Sequence, residues 1–430
     1  MKELRSIILA AGKGTRMKSD LAKVLHPVCG RPMLDYVMTA VKTSGSLKNY
    51  VVLGHQIERV KEILPSGFEA VEQRQLKGTA DAVRCVESKF QAVDGDVLVL
   101  CGDTPLLQTA TLKRLIKHHR MSGSSATVLS AVVQDSTGYG RVIRGINGAP
   151  VAIREEKDAS EAEKNLLEIN TGVYCFKAGA LFRALSRIRE NALKKEFYLT
   201  DVIEILADQG LKTSVIEVND PREAQGVNSR VDLAVAESVM RRRILETFML
   251  KGISIQDPAT TYIDADVKIG TDTVIRPFCV IERDVRIGRG CVIGPFARLR
   301  SGSRIGDQTE IGNFTEVSRT QVGSGCFMKH FSFLGDAKLG DNVNIGAGVV
   351  TANYDGQNKH QTRIKDQAFI GSDSILVAPV DVGKGAVTGA GCVVAKEKKI
   401  PDGAVMVGVP GRIIGKKKTE KPNTHKTRRT

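Results

Sequence analysis

The chain has 430 residues, a net charge of +15, and 42 glycines against an aromatic content of 5% with no Trp. Such a length allows two or three domains with separate cores, and a glycine-rich, aromatic-poor composition fits a fold with many tight corners. The eight cysteines are scattered without metal-ligand spacing, which reads as thiols of a reducing, cytoplasmic compartment. The apolar run Ile7-Ile8-Leu9-Ala10-Ala11 is too short to span a membrane, so no membrane partner is expected.

Residues 4–11 form an apolar, β-branched run that predicts a buried strand, followed by Gly12-Lys13-Gly14-Thr15-Arg16-Met17. A strand entering a glycine-rich turn and then a helix offers backbone N–H groups to a phosphate. A dinucleotide fingerprint would need a third Gly where Met17 stands, and a P-loop would need four residues between its glycines. Two readings remain: a phosphate loop carrying its own cations Lys13 and Arg16, with Lys23 beyond, or a βα turn with surface bases.

Residues 51–54 and 97–100 are further short apolar strands separated by helical stretches, the alternation of an α/β domain with a parallel sheet. At the end of the second stands Cys101-Gly102-Asp103-Thr104-Pro105, where ligands sit in such sheets. Asp103 there can hold Mg²⁺ against a triphosphate, or cap a following helix, as Pro105 favours.

Together Leu9 to Met17, Gly78-Thr79-Ala80 and Gly102-Asp103 resemble the sugar-1-phosphate nucleotidyltransferases, which have a Rossmann-like domain. Thr137-Gly138-Tyr139-Gly140-Arg141, Glu155-Glu156-Lys157-Asp158-Ala159, Glu168-Ile169-Asn170-Thr171-Gly172, Tyr198-Leu199-Thr200-Asp201 and Gly226-Val227-Asn228 extend the likeness. They resemble, in order and spacing, the bacterial family of bifunctional N-acetylglucosamine-1-phosphate uridyltransferases/glucosamine-1-phosphate acetyltransferases. The resemblance implies that Leu9, Ala10, Gly12, Arg16 and Lys23 bind UTP, its phosphates above all, and that Gln73, Gly78 and Thr79 read uracil. It implies Asp103 and Asn228 as Mg²⁺ ligands, and Gly140, Glu155 and Asn170 as sugar contacts, with Arg16 and Lys23 catalytic. The implied reaction is in-line attack of the sugar phosphate on the α-phosphorus of UTP, which needs positioning and charge neutralisation rather than a protein nucleophile. Cys101 departs from the Tyr that relatives often carry.

Residues 229–251 read as a linker helix with the apolar stripe Leu233, Ala236, Met240, Ile244 and Phe248, and residues 241–243 as its solvated basic face. From Ile263 an aliphatic residue then returns every sixth position through Ile269, Ile275, Ile281, Ile287, Ile293, Leu299, Ile305 and Ile311 to Val317. After two one-residue slips the ladder continues as Val322, Met328, Leu334, then Leu339, Ile345, Thr351, and after a break from Ile364 to Met406. The period fits neither a helix nor an alternating strand but a parallel β-helix over residues 252–409, with 24 hexapeptides making eight three-sided coils. It resembles the hexapeptide-repeat acyltransferases, whose β-helix is left-handed.

The ladder is interrupted at 353–359 by a polar, turn-rich loop, the kind that serves binding. With Lys329-His330-Phe331 and Asn344-Ile345-Gly346-Ala347-Gly348, it resembles the acetyltransferase site of the same bifunctional family. The resemblance implies His330 as the base that takes the proton from a sugar amine attacking a thioester. It implies Arg300, Asn344, Asn353, Tyr354 and Lys359 as acceptor-side contacts, Ser372 and Ala390 as acetyl-coenzyme A contacts, and a homotrimer with the site between subunits. Ser318 and Phe333 stand where the family has Lys and Tyr, and strand alternation sends Arg319 to the other side of the strand from Ser318. Residues 412–430 carry eight cations against Glu420, a net of +7, and the segment 410–430 reads as a disordered solubilising tail with no nucleic-acid partner.

The expected domains are therefore 1–228, 229–251, 252–409 and 410–430. The expected activity is synthesis of UDP-N-acetylglucosamine from glucosamine-1-phosphate, acetyl-coenzyme A and UTP, through N-acetylglucosamine-1-phosphate. The alternative is a uridyltransferase whose β-helix is an inactive trimerising scaffold.

Overall fold

The computed structural model describes residues 3–90, 94–191 and 195–416, and the chain divides into two compact units, Met1–Met240 and Arg241–Thr430. In the first unit the uncharged apolar runs become strands covered on both faces, as the interior of a parallel sheet must be. β1 (Glu3–Ala10), β2 (Lys48–Leu53), β3 (Phe68–Glu72) and β4 (Gly95–Cys101) pair in parallel. β5 (Ala126–Val132), β6 (Arg141–Arg144), β7 (Pro150–Arg154), β8 (Glu168–Lys177) and β9 (Thr213–Glu217) complete a nine-stranded sheet. Its order is β9-β5-β8-β4-β1-β2-β3, with β8 antiparallel to β4 and β5 and the β6–β7 hairpin attached to β8. The chain leaves β1 on one side and returns as β4 on the other, which opens a crevice at their carboxyl ends. Helix α1 (Met33–Ser44) buries Leu34, Val37, Met38 and Val41 against this sheet, a stripe at three- and four-residue spacing.

The expected linker is one helix, α2 (Arg230–Leu250), and the division between the units falls inside it. Ala236, Met240 and Phe248 are buried as the stripe predicts; Leu245 takes the fully buried place and Ile244 is only partly covered. The basic run is not simply solvated: the Arg241 guanidinium lies 4.1 Å from the Tyr262 ring centroid, and Arg242 pairs with Glu246.

The second unit is a left-handed β-helix whose three faces are parallel sheets. The first face runs from Ser254–Ile255 to Ala404–Val407, the second from Tyr262–Ile263 to Val393–Val394, and the third from Lys268–Ile269 to Lys399–Ile400. Every ladder residue is buried save Ile269, which is partly so. The first rung, Ile255, precedes the hexapeptide ladder because eight residues separate it from Ile263. Thr351 fits the interior because its hydroxyl bonds to the Gly335 N–H at 2.8 Å and carbonyl at 3.1 Å. Coil stacking leaves no room for a side chain at Gly312, where a Cβ would stand 1.9 Å from the Lys329 carbonyl oxygen. Aromatic rings go outside instead: Phe278, Phe296 and Phe314 stack along one corner with centroids 4.8 and 5.0 Å apart.

The expected tail is ordered at its start. Arg412–Lys416 forms a strand antiparallel to Ala404–Val407 and caps the last edge of the first face, so residues 412–416 are not a disordered tail. Residues 417–430 lie outside the described segments. No helix among the described residues is long and apolar enough to cross a membrane, and all eight cysteines are free.

Candidate active sites

The cleft of the first unit is built where β1 and β4 end. Gly102 N–H bonds to the Leu9 carbonyl, which sets the glycine-rich loop after β1 beside Asp103. The expected helix after the loop is a single 3-10 turn, Thr15–Met17, because Lys18 enters the left-handed region and stops it. Gly14 at φ 62° enters it, and a Cβ there would stand 2.7 Å from Lys23 Cβ.

Asp103 does not cap a helix: the next helix begins only at Thr109, behind Gln108. Its carboxylate instead meets the Lys23 ammonium, which also lies 3.0 Å from Asn228 Oδ1; Arg16 Nη2 is 3.0 Å from the same oxygen. Asn228 is fixed by the Val227 N–H on the Asp103 carbonyl and by Asp232, whose carboxylate accepts from the Asn228 and Ser229 N–H groups at 2.9 and 2.8 Å. A carboxylate oxygen and an amide oxygen thus converge on one cation, a donor pair that suits Mg²⁺ completed by water and phosphate oxygens. Among the described residues no cluster of three or more His, Cys, Asp or Glu offers another metal site.

Above this point is a cavity of about 600 Å³ lined by Leu9, Ala10, Gly12, Lys13, Lys23, Gln73, Gly78, Thr79, Asp103 and Glu155. A smaller one of about 210 Å³ shares Leu9, Thr79, Cys101, Asp103 and Glu155 with it, and adds Gly140, Asn170 and Asn228. One cleft therefore collects the expected nucleotide and sugar residues, with Arg16 at its edge through Asn228. At one end Gln73 Nε2 donates to the Gly78 carbonyl and to Asp81, which leaves its carbonyl oxygen for a ligand. Gly78 at φ 99° allows the close approach of Phe197, and Thr79 accepts from the Leu199 N–H. At the other end the Asn170 N–H bonds to the Gly140 carbonyl, and the Asn170 amide donates to the Tyr174 hydroxyl at 2.7 Å. Glu155 accepts from the Thr200 hydroxyl at 3.1 Å. Tyr174 and Thr200 are contacts that residue type alone did not single out, though Thr200 lies in the Tyr198-Leu199-Thr200-Asp201 motif.

Electrostatics sharpen the chemistry. Burial, then the Asp103 charge, pushes the Cys101 thiol up to about 12, so it is neutral and no nucleophile. Burial, and next the Asp158 carboxylate, raises Tyr198 to about 12 as well.

The second unit distributes its expected residues. Extending the register of Met328, Ile345, Ile370 and Thr388 places His330, Ala347, Ser372 and Ala390 in one column at the corner between the first and second faces. His330, Ser372 and Ala390 are exposed, and Asn344 points outward on the adjacent first face between Phe327 and Phe369. Arg300 belongs to the second face, paired with Glu316 at 3.1 Å. Asn353, Tyr354 and Lys359 occupy the corner between the second and third faces. There Tyr354 and Lys359 form an antiparallel bridge, and Asp355 pins the loop through the Gln357 and Asn358 N–H groups and His360 Nε2 at 2.6 Å. The Asn358 N–H above all holds the Asp355 carboxyl well below the usual carboxylate range.

Arg319 corrects the alternation argument. The strand ends at Ser318, so Arg319 adopts φ 48° and folds back. Its Nη1 donates to the Ser318 hydroxyl at 3.0 Å, while Nε and Nη2 hold Asp336 at 2.6 and 2.8 Å. Ser318 is buried beneath it. Asp336 also accepts from the Asn353 amide, and its carboxyl is lowered chiefly by Arg319.

Comparison with known proteins agrees with both halves. A nucleotidyl transferase model matches residues 5–220, and a model of the bacterial transferase hexapeptide, six repeats, matches residues 284–319. A bifunctional protein GlmU from Shouchella clausii (strain KSM-K16) is 44% identical over 435 residues, covering 94% of this chain and 95% of its own. One from Geobacillus sp. (strain WCH70) is 44% identical with 94% of each chain covered, and one from Pelotomaculum thermopropionicum is 45% identical over 88% and 90%.

Proposed function

The chain belongs to the family of bifunctional GlmU proteins, and from that membership we propose how its two units divide the synthesis of UDP-N-acetylglucosamine. The first unit joins N-acetylglucosamine-1-phosphate to the uridylyl group of UTP. The observation that carries this reading is the convergence of Arg16, Lys23, Asp103 and Asn228 at the floor of one cleft. Lys13, Arg16 and Lys23 bind the triphosphate and hold its α-phosphorus open to in-line attack. Gln73, Gly78 and Thr79 read the base, and Gly140, Glu155 and Asn170 orient the sugar. Asp103 and Asn228 hold Mg²⁺, which supplies charge neutralisation to the departing pyrophosphate. Release of pyrophosphate by Asp103→Ala tests this: a fall of about 10³-fold supports it, and a rate near that of the unaltered enzyme overturns it.

The second unit moves an acetyl group from acetyl-coenzyme A to glucosamine-1-phosphate. His330 takes the amine proton, the nitrogen bonds to the thioester carbon, and coenzyme A leaves as the thiol. Ser372 and Ala390, stacked in the His330 column, line the path of the coenzyme. Arg300, Asn344, Asn353, Tyr354 and Lys359 hold the acceptor. These residues sit on separate faces and corners of the solenoid, which supports a homotrimer whose sites form between neighbouring copies. Free cysteines and phosphorylated substrates fit a cytoplasmic enzyme.

A further inference from the structure

We infer that Arg230 is a positioning residue for uridylyl transfer, bracing the phosphate loop and the Lys23 turn against the turn that carries Asn228. The inference rests on the first unit's cleft being the uridylyl-transfer site. Segments far apart in sequence meet at this guanidinium. Its Nε donates to the Met17 carbonyl at 3.2 Å, where the phosphate loop ends. Its Nη1 lies 3.3 Å from His26 Nδ1, directly after the turn Lys23–Leu25. Met17 and His26 are 1% and 3% exposed, so both anchors are fixed in the core while Arg230 reaches them from the surface.

The loop needs such a brace. Gly14 and Lys18 both sit in the left-handed region, on either side of the one turn Thr15–Met17, and no longer helix stiffens it. Yet Arg16 from this loop and Lys23 from the next turn each stand 3.0 Å from a single atom, Asn228 Oδ1. Asn228 is two residues before Arg230, held by the Asp232 carboxylate at the start of the same helix. One planar guanidinium, with donors in fixed directions, therefore ties both cation-bearing segments to the element that presents the amide oxygen. A lysine can satisfy one anchor at a time.

The test uses the full-length enzyme with N-acetylglucosamine-1-phosphate, UTP and Mg²⁺, following pyrophosphate. For Arg230→Ala, kcat is expected to fall about 10²-fold, the scale of a misplacement of about 1 Å, with KM for the sugar phosphate within about twofold. Arg230→Lys regains about tenfold of that loss, and guanidinium ion added to Arg230→Ala restores part of it. A kcat unchanged in Arg230→Ala overturns the inference. So does a loss that neither lysine nor guanidinium relieves and that tracks a lowered unfolding temperature, since that is scaffolding alone. Asp103→Ala alongside separates the two claims. Full activity there overturns the site itself, whereas its inactivity together with an unaffected Arg230→Ala overturns only the brace.

Discussion

In the first unit Arg16 and Asn228 lie 212 residues apart in sequence, yet their side chains are 3.0 Å apart and share their neighbourhood with Lys23 and Asp103. In the second unit His330, Ser372 and Ala390 stay in one column of successive coils, while Lys359 keeps to another corner. An α/β sheet brings the ends of distant strands to one edge, so a single chain closes a cleft around its ligand. A solenoid contacts only its neighbouring coils, so a residue remains on the face where its hexapeptide puts it. Side chains on different corners cannot converge, and a site made from them takes its remaining walls from another surface.

The largest expected effect separates the two chemistries. His330→Ala lowers thiol release from acetyl-coenzyme A by about 10²- to 10⁴-fold. Pyrophosphate release by the same variant stays unchanged, because the first unit's cleft uses none of its residues. Equal loss of both activities would erase the comparison.

Acid should distinguish the units by stability. His119 is 1% exposed, with Nδ1 2.8 Å from the Thr127 hydroxyl, and burial lowers it from 6.5 to about 4. Burial, and then Arg230, lowers His26 in the same direction. Between pH 6.5 and about 4 the unfolded chain binds a proton that folded His119 refuses. Stability is therefore complete above that window and falls as pH drops through it, by at most about 3 kcal/mol for this group. The solenoid's described histidines, His330 and His360, are not buried. Burial, and then Glu204, raises the Asp201 carboxyl of the same unit to about 6, which opposes this fall over the same range. The contribution is therefore read by calorimetry of His119→Gln against the unaltered chain. The variant's first transition should be spared this loss on acidification, while the solenoid's transition is the same in both. An identical pH dependence of the first transition in the two would contradict the assignment.

The smallest effect probes the departures from the family. Phe333 Cζ would lie 2.8 Å from a Cβ on Gly335, so its ring tip faces the Asn353 side of the second face. Phe333→Tyr adds a hydroxyl there and should lower KM for glucosamine-1-phosphate by about tenfold at most, the worth of one hydrogen bond. An unchanged or higher KM would mean that the Arg319–Asp336 pair already fills this role.

The ladder from Ile263 to Met406 was legible because one buried position per six residues leaves a period that no other fold produces. Ile255 escaped it through an eight-residue interval, and Arg412–Lys416 through a basic composition that masked a pairing strand. In the cleft, Gly12, Lys13, Gly14 and Arg16 marked the loop as a candidate for phosphate, since such a reading depends on residue type. Whether Asp103 capped a helix or met a cation depended on where the next helix began, and Gln108, just before that start, is held by Glu223 from far along the chain. Arg230 and the return of Arg319 over Ser318 were not legible either. The first depends on how the start of the helix packs against a loop more than 200 residues away, the second on a backbone turn that carries the guanidinium to the next coil.

Complementation between altered copies tests the central contrast most directly. Chains bearing His330→Ala and chains bearing Lys359→Ala, each inactive in acetyl transfer, would be co-expressed with different tags and purified as mixed oligomers. If sites form between copies, each mixed trimer contains one junction with both residues intact, and thiol release returns to about one third of the unaltered rate. No recovery in mixed oligomers that still release pyrophosphate at the full rate would show that one chain builds the whole acetyl site, and would contradict the account.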